Sequence, residues 1–390
     1  SNNVSLFDCY VYQSSIYNFT SRDTVTCGYI CVYTILFICC ILSGIRAIPV
    51  TEQVTYCNLH DICFIQFPTN VAMLSQSKTV YSAPMYNLSP RSKYKYRIAE
   101  SKKQIEFTTH NPLNPRIAFI GDFGYNNAVA YKALHDAMNE YDIVVHLGDI
   151  AYNLENNGDA FMHMIEPISS KKPYMTTPGN HEAANNFSYY RTLFNMPRMF
   201  YSFNIGGAHF ISISSELLFN PQLYSNYNVM KQYNWLEQEL RENINATAKI
   251  VYAHRPMYCS LSYGNTCSKD TEIMRKGMSY NDNRRIAPLE QLLHKYGVQL
   301  YFAGHIHSYD RSKPVYDNKL QPDGIIHILN GVGGCIEKLD TSTSIKASWL
   351  AYHNTTYGFG ILNITDKHID WRQYATSKNG KKEIIDFFMS

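Results

Sequence analysis

Continuous apolar runs and longer amphipathic stretches alternate along the chain from Arg116 onward. The runs are "RIAFIG" at 116–121, "DIVVHLG" at 142–148, "KPYMTTPG" at 172–179, "AHFISIS" at 208–214, "AKIVYAH" at 248–254 and "VQLYFAG" at 298–304. An apolar run without polar alternation suits a strand covered on both faces, the usual situation of parallel strands. Between the runs, helical spacing predicts helices near 128–140, 159–168, 229–242 and 284–296. This rhythm predicts an α/β domain over 115–390, largely parallel, with two sheets packed together.

Upstream the pattern changes. "ICFIQF", "KTVYSA", "YKYRIA" and "QIEFTTH" are short strand-like pieces within 49–111, which predict a small antiparallel, all-β, sandwich-like module. "HNPLNP", with two prolines, reads as the linker to the larger domain. Residues 28–45, "GYICVYTILFICCILSGI", carry no charge over 18 residues. That length lies between a signal-peptide core of roughly 7–15 residues and a membrane span of roughly 17–25. The segment is read as a signal or signal-anchor. A tail of 27 residues before it favours an uncleaved anchor. No internal repeat is visible at a period of about 20–50 residues.

Charge narrows the function classes. Thirty-five Lys and Arg against 32 Asp and Glu give a net +3, without a basic run that would track nucleic acid. Charged residues are 17% of the chain, and 32 tyrosines help fill the deficit. Asn-x-Ser/Thr acceptors stand at Asn3, Asn18, Asn87, Asn186, Asn245, Asn354 and Asn363. With the apolar segment they point to the secretory pathway: a protein secreted, lysosomal or vacuolar, or anchored with its larger domain lumenal or extracellular. Downstream of the apolar segment and its flanks lie Cys57, Cys63, Cys259, Cys267 and Cys335. Cys259 and Cys267 bracket "CSLSYGNTC", short enough for a disulfide; Cys57 and Cys63 are similarly spaced, which leaves Cys335 buried or free.

The chemistry collects at the ends of the apolar runs: "GDFG" after Ile120, "GDIAY" after Leu147, "GNHE" after Pro178, "AH" after Tyr252 and "GHIH" after Ala303. Functional groups in open α/β folds gather where the carboxyl ends of strands meet. Asp122, Asp149, Tyr152, Asn180, His181, His254, His305 and His307 are thereby candidates for one site. Singly, each is a turn residue or a core histidine; five strand ends bearing oxygen or imidazole donors are not. Such donors without thiolates suit iron, manganese or zinc. One shared carboxylate would let them hold two ions, the arrangement that clamps a phosphoryl displacement.

"GDFG", "GDIAY", "GNHE", "VYAH" and "GHIH", in that order and spacing, resemble the five signature blocks of the purple acid phosphatases, most closely the animal-type branch. The resemblance implies a metallophosphoesterase αββα sandwich preceded by a fibronectin-III-like domain. It implies a ferric ion on Asp122, Asp149, Tyr152 and His307, and a divalent ion (iron, zinc or manganese) on bridging Asp149, Asn180, His254 and His305. The reaction implied is hydrolysis of small-molecule or protein phosphomonoesters at acidic pH by a metal-bound hydroxide. Asn180 and His181 would contact the phosphate, His181 would help protonate the leaving group, and Glu182 would orient rather than ligate. Arg255 and Tyr258 are candidates for the leaving-group side, where plant members carry histidines absent from 255–267 here. Asp310 replaces the Glu of many relatives. Two other readings are a manganese or zinc enzyme for diesters or nucleotides, and a silent surface glycoprotein keeping the fold.

Overall fold

The computed structural model describes residues 104–390 except 197, 220–225, 263, 280–284, 287 and 366–367; upstream it describes Tyr33–Ile38, Val54–Asn58, Cys63–Gln66, Asn70–Ser75, Lys78–Met85 and residues 88–98. The six apolar runs hold strands, and Tyr201–Ile205 adds another: Arg116–Ile120 (β1), Ile143–His146 (β2), Tyr174–Thr176 (β3), Tyr201–Ile205 (β4), Ala208–Ser212 (β5), Ala248–Tyr252 (β6) and Leu300–Ala303 (β7). Six more follow: Tyr309–Ser312 (β8), Ile326–Asn330 (β9), Leu350–Asn354 (β10), Gly358–Ile364 (β11), Ile369–Thr376 (β12) and Lys382–Met389 (β13).

These strands build two sheets, ordered β3-β2-β1-β11-β12-β13 and β4-β5-β6-β7-β9-β8-β10. In the first, β1, β2 and β3 are parallel, with Ile117 opposite Ile143 and Tyr174 opposite Val144. In the second, β5, β6, β7 and β9 are parallel. The pattern predicts a largely parallel fold, and the parallel half of each sheet meets that expectation. The other halves are antiparallel, through β1–β11–β12–β13 and β9–β8–β10. Antiparallel neighbours join through short turns and need no crossover helix, so the strand–helix rhythm does not announce them.

Alternate residues of each parallel strand serve two cores. Ile117, Phe119, Val145, Tyr252 and Phe302 face the layer between the sheets, where Phe119 stacks on Phe302 with centroids 3.9 Å apart. Ala118, Ile120, Val144, Val251 and Ala303 face outward against helices. Both faces are dry, hence the unbroken apolar runs. Full burial of one such phenyl ring contributes about 1.5–3 kcal/mol.

Helix Leu154–Ser169 lays Leu154, Phe161, Ile165 and Ile168 inward, with Phe161 edge-on to Phe123. Its Asn153 side chain caps the first turn by accepting from the Asn156 N–H at 3.1 Å. The expected helix near 128–140 is shorter, Tyr131–Asp136. Those near 229–242 and 284–296 are Asn226–Glu242 and Leu289–Lys295. A helix at Ala184–Leu193, not expected from the pattern, follows "GNHE".

Upstream, Val54–Asn58, Cys63–Gln66, Lys93–Ile98 and Ile105–Thr108 form a four-stranded sheet. Tyr33–Ile38, Lys78–Met85 and Asn70–Ser75 form a three-stranded one. Tyr33–Ile38, inside the segment read as a signal or anchor, is a strand paired antiparallel with Lys78–Met85. Among the described residues no helix is long and apolar enough to cross a membrane. The Tyr96 hydroxyl donates to the Ser170 carbonyl at 2.9 Å and ties the upstream strands to the larger domain. Cys57–Cys63 and Cys259–Cys267 are disulfides, and Cys335 is free and buried. Asn186 and Asn245 are exposed, Asn354 and Asn363 lie half-buried on strands, and Asn3, Asn18 and Asn87 lie outside the described residues.

Candidate metal centre

Asp122 follows β1, Asp149 follows β2, Asn180 and His181 follow β3, His254 follows β6, and His305 and His307 follow β7. The chain turns so sharply at these ends that four non-glycine residues adopt left-handed backbone: Asp122 (φ 52°), Asp149 (φ 51°), Tyr152 (φ 48°) and His305 (φ 73°). Such conformations are disfavoured for L residues and persist where the surroundings fix them at functional sites. The preceding glycines leave room for the carboxylates. A β-carbon on Gly304 would stand 2.3 Å from Asp122 Oδ2, and one on Gly179 would stand 2.2 Å from Asp149 Oδ1. That is the physical content of the glycine in "GNHE" and "GHIH".

Two groups of donor atoms result, a triangle and a set of four. In the first, Tyr152 Oη is 2.8 Å from His307 Nε2 and 3.4 Å from Asp122 Oδ1, which is itself 3.4 Å from His307 Nε2. In the second, His254 Nε2 is 3.1 Å from Asn180 Oδ1, 3.2 Å from His305 Nδ1 and 3.2 Å from Asp149 Oδ2. Ligands about 2.0–2.2 Å from one ion at tetrahedral or octahedral angles stand about 2.9–3.5 Å from each other. Both groups have coordination spacing, so the donor set fits two ions.

The imidazoles are oriented from behind. His254 Nδ1 donates to the Leu147 carbonyl at 2.8 Å, and His307 Nδ1 donates to the Lys338 carbonyl at 2.6 Å. A carbonyl only accepts, so each Nδ1 carries a proton and Nε2 is the nitrogen turned to the cluster, free to ligate once its own proton is lost. Glu182 braces the turn that carries Asp149: it accepts from the N–H groups of Asp149 (3.0 Å), Ile150 (2.9 Å) and Gly179 (2.8 Å).

Residues 115–309 match the Calcineurin-like phosphoesterase family, and residues 324–386 match the Iron/zinc purple acid phosphatase-like protein C family. The chain is 35% identical over 347 residues to Acid phosphatase type 7 of Mus musculus, covering 80% of this chain and 77% of that protein. The chain belongs to the purple acid phosphatase family. To Acid phosphatase type 7 of Homo sapiens it is 37% identical over 298 residues, covering 70% of this chain and 66% of the relative. The purple acid phosphatase PPD1 from yellow lupin seeds shares the fold, with a TM-score of 0.71 at 21% identity over 87% of this chain and 69% of its own. The family works through a binuclear metal centre, iron plus a second metal.

Charge inside this purple acid phosphatase cluster is strongly skewed. Burial works to raise the Asp149 carboxyl, but His254, His181 and His305 outweigh it and hold it below the usual carboxylate range. Burial disfavours the His254 cation, yet Asp149 raises it to about 9. His305 is driven well below the ordinary histidine value by burial and by the His254 and Arg255 charges. Burial, then Asp122 and Asp149, push the Tyr152 phenol far up. Tyr152 therefore ionises only against a strongly charged cation.

Other candidate residues fall in different places. His181 Nε2 lies 3.9 Å from Asp149 Oδ2, and its ring packs on Tyr152 with centroids 4.4 Å apart. Arg255 is bound by Glu216 (Nε to Oε1 2.8 Å, Nη2 to Oε2 3.1 Å), lies over Phe219 and donates from Nη1 to His305 Nε2 at 3.0 Å. An arginine nitrogen only donates, so His305 Nε2 accepts and the ring proton of neutral His305 stands on Nδ1, while Glu216 neutralises the guanidinium. Tyr258 is buried away from the cluster, donating to Glu290 and accepting from the Asn318 N–H. Asp310 is buried and accepts from Ser260 and His353.

The stretch "GGCIEKLD" after β9 was not singled out from the sequence. It supplies Cys335, whose Sγ lies 3.6 Å from His307 Nδ1; Glu337; the Lys338 carbonyl; and Asp340, which accepts from the His307 N–H at 2.8 Å. Its signal was the one used elsewhere, an apolar strand ending in glycine.

Proposed function

We propose that the chain hydrolyses phosphate monoesters, small or protein-borne, at acidic pH. A ferric ion would be held by Asp122, Asp149, Tyr152 and His307, and a divalent iron, zinc or manganese by Asp149, Asn180, His254 and His305. The observation that carries this reading is the Tyr152 hydroxyl at one corner of the triangle, 2.8 Å from His307 Nε2. A phenolate ligand favours the trivalent state. When bound, the pair supplies Lewis acidity, acidifying water and neutralising charge on phosphoryl oxygens. Asn180 and His181 hold the ester, His181 protonates the departing oxygen, and Glu182 keeps the turn that carries Asp149 in place. The two disulfides support a secretory, oxidising location.

The test is a visible absorption spectrum of the purified protein, with and without mild reductant, beside metal analysis and a phosphomonoesterase assay from pH 4 to pH 8. A broad band that shifts on reduction and vanishes in Tyr152→Phe is expected. A colourless zinc or manganese protein that prefers diesters would refute the ferric reading.

A further inference from the structure

The loop that follows β9 carries a carboxylate to the substrate side of the site. Glu337 Oε1 lies 3.4 Å from His181 Nε2, and its Oε2 lies 3.9 Å from His307 Nε2; half of the side chain is exposed. Its backbone is fixed on both sides. The Cys335 carbonyl accepts from Asn127 Nδ2 at 2.9 Å and from the Lys338 N–H at 3.2 Å. The Lys338 carbonyl and the Asp340 carboxylate both bind His307, and the Asp340 N–H donates back to the His307 carbonyl at 3.0 Å. Glu337 is thus presented from a loop locked to a candidate metal ligand.

His181 needs such a restraint. Its ring touches Tyr152 on one face and is otherwise part-exposed, on a single turn of 3-10 helix, Asn180–Glu182. We propose that Glu337 is a positioning residue: its carboxylate keeps His181 Nε2 on the Asp149 side of the cleft, where the leaving oxygen of a phosphate ester departs. This rests on the phosphatase reading above. In the step it serves, the bond from phosphorus to the alkoxy oxygen breaks. That oxygen keeps the electron pair and takes the proton from His181 Nε2, and solvent returns a proton to the ring. At 3.4 Å the carboxylate steers the ring without a short hydrogen bond that would retain the proton.

A leaving group that needs protonation depends on that placement, and one that departs as a stable anion does not. The experiment compares metal-loaded wild type, Glu337→Gln, His181→Asn and the double variant on glycerol phosphate and on dinitrophenyl phosphate. In Glu337→Gln the ratio of the two kcat values should fall about fivefold, the upper end for a half-exposed charge pair. The double variant should be no worse than His181→Asn alone, because the two residues act as one unit. Equal loss on both esters, or additive losses, would overturn the proposal, as would a ratio unchanged in Glu337→Gln of wild-type metal content and melting temperature. Wild type that cleaves neither ester removes the phosphatase reading itself, an outcome distinct from active wild type with equal losses.

Discussion

His327, on β9, gives the sharpest check on how the fold meets acid. The side chain is 4% exposed and sits against the rings of Tyr258 and Tyr301, with centroids 4.5 and 5.5 Å away. Neither ring nitrogen has a hydrogen-bond partner among the described residues. Burial first, then the Arg275 charge, lower it to about 3, against about 6.5 for an unfolded histidine. With the folded value below the unfolded one, the unfolded chain binds the extra proton across that interval. Stability from this residue is complete above pH 6.5 and declines as pH falls toward 3. Each pH unit in the window removes about 1.4 kcal/mol, so about 2–3 kcal/mol is lost between pH 6.5 and pH 4.5. His327→Phe fills nearly the same space, breaks no side-chain hydrogen bond and should change stability by less than about 1.5 kcal/mol at pH 7. At pH 4.5 it should melt about 5 °C above wild type, taking about 2 °C per kcal/mol for a domain of this size. Calorimetry of both proteins at several pH values measures the difference, in which other acid-sensitive groups cancel. A difference that stays flat from pH 7 to pH 4.5 would refute the reasoning.

Three other outcomes follow from the packing and the brace. Phe119→Ala, between the sheets, should destabilise by about 3–5 kcal/mol, read as a shifted urea midpoint with unchanged slope. Glu182→Ala strands three buried N–H groups, each worth about 1–3 kcal/mol if left unsatisfied; it should lower both melting temperature and bound metal, and full metal content at wild-type stability would exclude the bracing role. Opening the Cys259–Cys267 loop by Cys259→Ser with Cys267→Ser should remove about 2–3 kcal/mol, seen as a lower melting temperature measured without reductant, under which Cys57–Cys63 stays closed in both proteins.

The candidate site was legible because its donors stand at the ends of apolar runs, most of them beside a glycine or another donor, as in "GDIAY" and "GHIH". The antiparallel halves were not. Strands such as β12, with burial alternating at Ile369, Trp371 and Gln373, carry polar residues between core positions and need no crossover helix. Arg255 illustrates a different limit. A lone arginine after a candidate ligand reads as an anion binder, but Glu216, brought in from another segment, neutralises it. Glu337 and Asp340 gain their roles only from contact with His181 and His307, which spacing along the chain does not reveal.

The place of β1 in its sheet sets a timetable for assembly. One edge of β1 is covered by β2, which is made soon after it, but the other is covered by β11 at Gly358–Ile364. At about 5–20 residues per second, synthesis of the intervening chain takes on the order of 10–50 s. Until then the strand that carries Asp122 has an open flank, and His305 and His307 arrive late as well. On the reading proposed above, a ribosome-bound nascent chain would be a poor trap for metal, and ion capture would follow the synthesis of β11.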